Sequence, residues 1–274
     1  MADKILFRID AEGTATVMLN RPEVHNAFDP EMVEQLTCRL RELEAQPAVR
    51  CVVLRGAGKS FCAGADIEHM KESATYSRTR NFRAAQHSAR MFEALNQLRK
   101  PTLAGVHGAV RGGGLGLVAA CDIAIATRAA TFRLSEVRLG IIPAMITPYL
   151  ISAVGQRMAR RYMLSGEEFD AVEAVRIGLV HEVVEEQELD ARITRMLGEL
   201  RSGGPAALSA TKDLIPLSAR GAIDRALVDE TARRIAEIRA TPEAEEGLAA
   251  FLDKRRPAWS ATLPKGKTRQ KRSS

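Results

Sequence analysis

The sequence predicts an α/β fold with a helical C-terminal part, on three observations. Short β-type apolar runs alternate with helix-type stripes over residues 1–195. Beyond Leu139 strand-like pattern nearly vanishes and helical pattern takes over. Two glycine-bearing turns, Phe61-Cys62-Ala63-Gly64-Ala65-Asp66 and Gly112-Gly113-Gly114, each follow an apolar strand-like run.

The elements follow in order. Ile5–Ile9 and Thr14–Leu19 read as two strands of a hairpin about Glu12-Gly13. Asn20-Arg21-Pro22 ends the second one. From Pro30 to Gln46 the apolar residues Met32, Val33, Leu36, Leu40 and Leu43 form a helical stripe. Asp29 suits its N-cap and Pro30 its first turn. Cys51–Leu54 reads as a buried strand, and Gly56 to Gly64 as a glycine-rich loop. Lys71 to Arg83 is polar and poorly periodic, so a turn-like or mobile stretch is expected before a helix from Arg83 to Leu98. Thr102–Val106 is a strand, Gly108–Gly114 a turn, the residues up to Ala120 a short helix, and Asp122–Ala126 a strand. The helical pattern then covers 149–154, 157–164, 171–177, 186–200, 206–214, 222–238 and 243–254. Short connections make residues 196–260 an extension of one fold more than a second independent domain.

Composition excludes several classes. At 46% hydrophobic but only 4% aromatic, the chain needs a mostly aliphatic core. No apolar run reaches the ~20 residues of a membrane-spanning helix, and the charged N-terminus has no signal-peptide pattern. The scattered Cys38, Cys51, Cys62 and Cys121 read as reduced thiols of a cytoplasmic protein, with Cys62 a packing residue. The net charge of +6 rests mainly on Lys265, Lys267, Arg269, Lys271 and Arg272, in a tail over 261–274 that reads as basic and disordered. The body is then near neutral, which argues against a nucleic-acid surface.

The chemistry lies in the turns. A glycine-rich turn opening a helix leaves N–H groups without intrahelical acceptors at the electropositive end of the dipole, a place for an oxyanion or phosphate. Both turns fit that design, and Glu136 follows as a single acid ahead of Leu139-Gly140-Ile141-Ile142-Pro143. Two donors converging on one oxygen, plus one carboxyl, are what enolate formation and proton movement require. Gly114-Leu115-Gly116-Leu117-Val118-Ala119 also matches a dinucleotide fingerprint, but the helix before the next strand is too short for it. No GxxxxGK[ST], GxSxG or HExxH occurs. His25, His69, His87, His107 and His181 show no ligand spacing, so no metal site is expected.

The motifs FCAGADIEHM, GAVRGGGLGLVAACDIAIAT, FRLSEVRLGIIP and GEEFDAVEAVRIGLVHEVV resemble, in order, those of the enoyl-CoA hydratase/isomerase (crotonase) superfamily. LNRPEVHNAF and EGLAAFLDKRRPAW extend the likeness from residue 5 to about 260. The resemblance implies a spiral of ββα units with a C-terminal helical region that drives trimers, often paired into hexamers. It implies an acyl-CoA thioester as ligand, with no cofactor beyond the coenzyme A of the substrate. The thioester oxygen would be held by the N–H groups of Ala65 and Gly113, with Glu136 as the acid–base group. Ala63 would accept from the adenine amine, and Lys254, placed on the last helix, would meet a CoA phosphate. Gly64, Asp66, Ile67, Gly112 and Gly116 would complete the substrate-binding set.

Hydratases of this kind commonly hold a second glutamate at the position of Gly116, and some relatives an aspartate at Ala144, so simple two-acid hydration is in doubt here. The likeness implies an enoyl-CoA hydratase, with a single-glutamate isomerase or a non-catalytic acyl-CoA binder as alternatives. The pattern GGGLGLVAACD, SEVRLGIIPAMITPYL and ARRYMLSGEEFDAVEA is similar to that of bacterial methylglutaconyl-CoA and carboxygeranoyl-CoA hydratases, implying a branched or carboxylated acyl group and a place in leucine or terpene breakdown. Arg111 and Arg138 are then candidates to meet a substrate carboxylate, with a surface charge the simpler reading of each.

Overall fold

The computed structural model describes residues 3–219 and 221–260. The chain divides into two compact units, Met1–Leu197 and Gly198–Ser274.

The first unit is built on a six-stranded sheet. Its strands are β1 (Ile5–Ile9), β2 (Thr14–Leu19), β3 (Cys51–Gly56), β4 (Thr102–Val106), β6 (Ile123–Thr127) and β9 (Glu182–Val184), in the order β1-β2-β3-β4-β6-β9. β1 and β2 form the expected antiparallel hairpin, and every other pairing is parallel. The hairpin closes because Asp10 Oδ1 accepts from the N–H groups of Glu12 and Thr14. Central β3 and β4 are apolar and buried almost throughout, as strands covered on both faces must be. Parallel neighbours need crossovers, and α1 (Pro30–Ala45) supplies the first. Its stripe of Met32, Val33, Leu36, Leu40 and Leu43 is buried, and Asp29 caps it by accepting from Met32 N–H.

A second, three-stranded sheet carries β5 (Ala109–Arg111), β7 (Thr131–Arg133) and β8 (Glu168–Asp170), in the order β5-β7-β8. The segment expected as a turn over Gly108–Gly114 therefore contains a strand. Three-residue strands are too short to show a period, which is why β5 and β7 escape a pattern reading.

Lys71 to Arg83 also departs from expectation. α2 (Ile67–Ser73) runs through its start, and α3 (Arg78–Asn96) covers its end, capped by Ser77. Only the short link between them is non-helical. Buried residues in α3 are confined to Met91, Phe92 and Leu95, so its first half has no apolar stripe to betray the helix. α4 (Gly113–Ala120) is the short helix expected after the second turn. α5 (Thr147–Ser165) joins the two stretches read as 149–154 and 157–164, with a break at Gly155. α6 (Ala171–Arg176) and α7 (Leu189–Ser202) follow.

The second unit holds α8 (Pro205–Ser218), α9 (Arg225–Arg239) and α10 (Pro242–Leu252). Glu243 accepts from the N–H groups of Ala206 and Ala207, so a side chain of α10 satisfies the first turn of α8. Lys254 stands beyond the end of α10, not on it, in left-handed conformation (φ +55°). The tail expectation over 261–274 lies outside the described residues.

Candidate active site

The two glycine turns come together through a pair of isolated bridges. Cys62 pairs with Val110, its N–H donating to Ala109 O (3.3 Å) while its carbonyl accepts from Arg111 N–H (2.9 Å). Phe28 pairs with Ala65, through Phe28 N–H to Gly64 O (2.8 Å) and Asp66 N–H to Phe28 O (3.1 Å). Gly64 lies between them at φ +85°, and a Cβ there would stand 2.8 Å from Arg111 O and 3.3 Å from Gly113 N. Only glycine allows both that backbone angle and that approach.

This register leaves two donors over. The Phe28–Ala65 bridge spends the N–H groups of residues 28 and 66, so that of Ala65 is outside the ladder. Gly113 is the first residue of α4, whose N–H has no intrahelical acceptor. Both residues line one cavity of about 280 Å³. Its wall also carries Ala63, Gly64, Ile67, Gly112 and Glu136 of the expected set.

Glu136 opens a 3-10 turn (Glu136–Leu139) after β7. Its Oε1 would lie 2.9 Å from a Cβ at Gly112, so the carboxyl sits directly against the second turn. Its Oε2 is buried with no hydrogen-bond partner among the described residues. Burial raises its pKa, against the weaker pull of its own backbone N–H. An orphaned, desolvated carboxyl beside two spare N–H groups is the arrangement expected of an acid–base catalyst.

Gly116 does not reach the cavity. It is buried in α4, and a Cβ there would collide with Ile146 Cγ2 at 2.1 Å and with Phe92 Cε1 at 2.9 Å. Ile146 and Phe92 themselves line the cavity. Hydrocarbon thus stands where a side chain from position 116 would enter.

Asp66 turns the other way. It caps α2 by accepting from Glu68 and His69 N–H, and pairs with Arg21 Nη1 at 2.8 Å. Burial works to raise its pKa, but Arg21 and the two backbone donors outweigh burial and hold the carboxyl below its ordinary value. Asp66 faces a second cleft of about 660 Å³, lined also by Arg21, His25, Ala63, Ala65 and His69. Ala63, Ala65 and Ile67 belong to both walls, so the cleft and the cavity are contiguous.

Arg111 lines the cavity, but its guanidinium is already occupied, donating to Val110 O, Thr131 O, Thr131 Oγ1 and Glu168 Oε2 at 2.6–3.0 Å. Arg138 donates to Ser165 O at 3.3 Å. Arg111 is thereby tied into the second sheet, while Arg138 is exposed, in line with the simpler reading of it as a surface charge. Cys62 is fully buried, donates to Asn26 O, and has its pKa pushed up to about 12 by burial, so it packs as a thiol. Pattern reading missed the apolar wall of Phe28, Met70, Phe92, Met145 and Ile146, whose spacing in the chain carries no common period.

The chain is similar to known proteins over most of its length. The family profile described as enoyl-CoA hydratase/isomerase matches residues 10–262. The short-chain-enoyl-CoA hydratase of Clostridium acetobutylicum is 36% identical over 251 residues, covering 90% of this chain and 95% of that protein. The crotonyl-CoA hydratase of Syntrophomonas wolfei is 34% identical over 247 residues, covering 89% and 94%. The crystal structure of an enoyl-CoA hydratase from Shewanella pealeana superposes with a TM-score of 0.91 at 39% identity, covering 94% and 96% of the two chains. No helix among the described residues is long and apolar enough to cross a membrane. With a matched profile over nearly its whole length and relatives of this identity, the chain belongs to the enoyl-CoA hydratase/isomerase family.

Proposed function

We propose that the protein is an enoyl-CoA hydratase that adds water across the double bond of a 2-enoyl-CoA thioester. The observation that carries this reading is the shared wall of Ala65, Gly113 and Glu136, two donors and one carboxyl whose Oε2 has no partner among the described residues, on one cavity. The thioester oxygen accepts from the N–H groups of Ala65 and Gly113. Glu136, as carboxylate, takes a proton from a water whose oxygen bonds to Cβ. The π electrons move toward the thioester oxygen, and the enolate charge collects between the two donors. Each such donor is typically worth about 3–4 kcal/mol in the transition state. The carboxyl of Glu136 then gives its proton to Cα, closing the cycle with one water added. One acid serves both steps.

The contiguous cleft beside Arg21, Asp66 and His69 is the assigned path of the coenzyme A body, with Ala63 accepting from the adenine amine. Lys254 is assigned to a CoA phosphate. We assign a homotrimer or hexamer as the assembly, on the strength of Ile223, Phe251 and Leu252, which are 87%, 79% and 68% exposed on the second unit. Sedimentation of the full chain as a monomer would remove that assignment.

A second reading rests on the hydrocarbon that Ile146 sets at position 116. A lone carboxyl can also move a proton from Cα of a 3-enoyl-CoA to its γ-carbon, shifting the double bond without water. Crotonyl-CoA separates the readings. Loss of its conjugated-thioester absorbance, with one oxygen from labelled water in the product, supports hydration. No loss, together with gain of that absorbance from a 3-enoyl-CoA, leaves the isomerase in its place.

A further inference from the structure

Phe28 touches both donor turns, one with its main chain and the other with its ring. Its N–H donates to Gly64 O at 2.8 Å, and its carbonyl accepts from Asp66 N–H at 3.1 Å. Gly64 O belongs to the same planar peptide unit as the N–H of Ala65, and in a trans peptide the two point in opposite directions. Holding Gly64 O toward Phe28 therefore turns the Ala65 donor away from it. The N–H of Phe28 is fixed in the same manner. Arg21 Nη1 donates to Ala27 O at 2.6 Å, on the peptide unit that carries Phe28 N–H, and pairs with Asp66 at 2.8 Å.

The ring reaches the second turn. A Cβ at Gly113 would lie 2.3 Å from Phe28 Cζ and 3.0 Å from Cε1, so the ring tip rests on the bare Cα of the other donor residue. The ring is buried and packs edge-to-face on Phe92, with centroids 6.3 Å apart and planes at 73°. Phe92 Cε1 would in turn lie 2.9 Å from a Cβ at Gly116, one turn further along α4. Two rings thus bear on the opening of α4. A phenyl ring has fixed length and no internal torsion, and a close-packed interior transmits displacement. Burial alone accounts for an aromatic ring in this wall, but not for its contact with one donor residue while its amide orients the other.

Resting on the reading of Ala65 and Gly113 as the thioester donors, we infer that Phe28 is a positioning residue whose ring sets the spacing between those two N–H groups. Its main chain fixes the end of the strut at Ala65, and its ring tip fixes the end at Gly113. Donors aimed where charge develops are worth most when they need no reorganisation at the moment of reaction.

Butyryl-CoA, isotopically labelled at the thioester carbonyl, reads the donors directly because it is saturated and not turned over. On the full chain, infrared difference spectra should place the bound carbonyl band below that of the free thioester. Phe28→Leu shortens the strut and keeps the site apolar. Most of the lowering should be lost, and kcat for crotonyl-CoA should fall about 100-fold with KM little changed, the scale of a displacement of roughly 1 Å at the reacting centre. The parent band in folded Phe28→Leu overturns the inference. Should that variant not fold, Phe28→Met, which fills the space with a flexible chain, is read on the same scale, and the parent band there overturns the inference equally. Leu40→Ala, buried in α1 away from both turns, loosens the core and should leave the band in place. An equal shift in Leu40→Ala would make the effect of Phe28 a general loosening and overturn the inference. The underlying readings separate in the same spectra. No lowering in the parent removes the donors, and the inference with them. A lowering that Phe28→Leu abolishes, in a protein that does not hydrate crotonyl-CoA, sinks the hydratase reading and sustains the role of Phe28.

Discussion

Asp66 and Glu136 are two carboxyls on neighbouring walls of the same junction, and the fold treats them in opposite ways. Asp66 accepts from two backbone N–H groups and pairs with Arg21. Glu136 has a buried oxygen with no partner among the described residues. The first has its pKa lowered and the second raised. A fully satisfied carboxyl has nothing left to exchange, so it can only hold structure. An unsatisfied one costs stability and is free to trade a proton, which is the pattern by which environments divide roles among acids in one site.

The largest expected effect tests that division directly. Glu136→Gln keeps the volume and removes the proton-transfer group, so kcat should fall at least ~100-fold, the usual scale of general acid–base loss. Acyl-CoA binding should survive, because the donors of Ala65 and Gly113 are untouched. Steady-state kinetics and calorimetry on one preparation check both halves. Near-normal turnover would move the chemistry away from Glu136.

Gly116 sharpens the comparison by asking whether a second carboxyl can be added. Gly116→Glu alone should destabilise the protein by about 3 kcal/mol or more, since the new side chain meets Ile146 and Phe92 in a closed core. Urea unfolding reads the loss. Combined with Ile146→Ala, which vacates that space, the penalty should be smaller than the sum of the two single changes, a coupling expected of side chains in contact. Strict additivity would mean that residue 146 does not govern position 116.

Asp66→Asn should act on the other side. It keeps a competent N-cap but gives up the ion pair with Arg21, for a loss of about 1–3 kcal/mol in stability. Turnover per folded molecule should stay within a few-fold of the parent, since Asp66 faces the cleft and not the acyl cavity. A kcat collapse like that of Glu136→Gln would erase the contrast.

Much of this was legible in the sequence where physics is local. Asp29 and Pro30 announce α1, the hairpin announces itself by its turn, and the two glycine turns mark their donors. What brings those turns together is not local. The Cys62–Val110 and Phe28–Ala65 bridges join residues far apart in the chain, and β5 is too short to signal its own existence. The absence of a second acid at Gly116 was visible, but its filling by Ile146 was not, because that contact depends on how α5 meets α4. The partners of Arg111 were hidden for the same reason. Its neighbours in sequence are the turn, while its guanidinium serves Thr131 and Glu168.

The gentlest test of the two carboxyls is the pH dependence of stability. Glu136 binds its proton more tightly in the folded state than at its ordinary pKa of 4.5. As pH rises through the window above that value the folded protein is the more protonated state, so stability falls with pH, and the cost is complete once the folded-state group has ionised. Asp66 is the reverse case. Its folded pKa lies below the ordinary 3.8, so its contribution is present above that value and drains away as pH falls below it. Glu136→Gln should therefore gain stability over the parent at neutral pH, with the gain fading below about pH 4.5. The loss in Asp66→Asn should be largest at neutral pH and shrink in acid below 3.8. Thermal unfolding of both variants across pH 3 to 8 reads opposite signs at the neutral end. The same sign for both would mean that Glu136 is satisfied in the folded protein, and a satisfied Glu136 has no spare proton chemistry to offer.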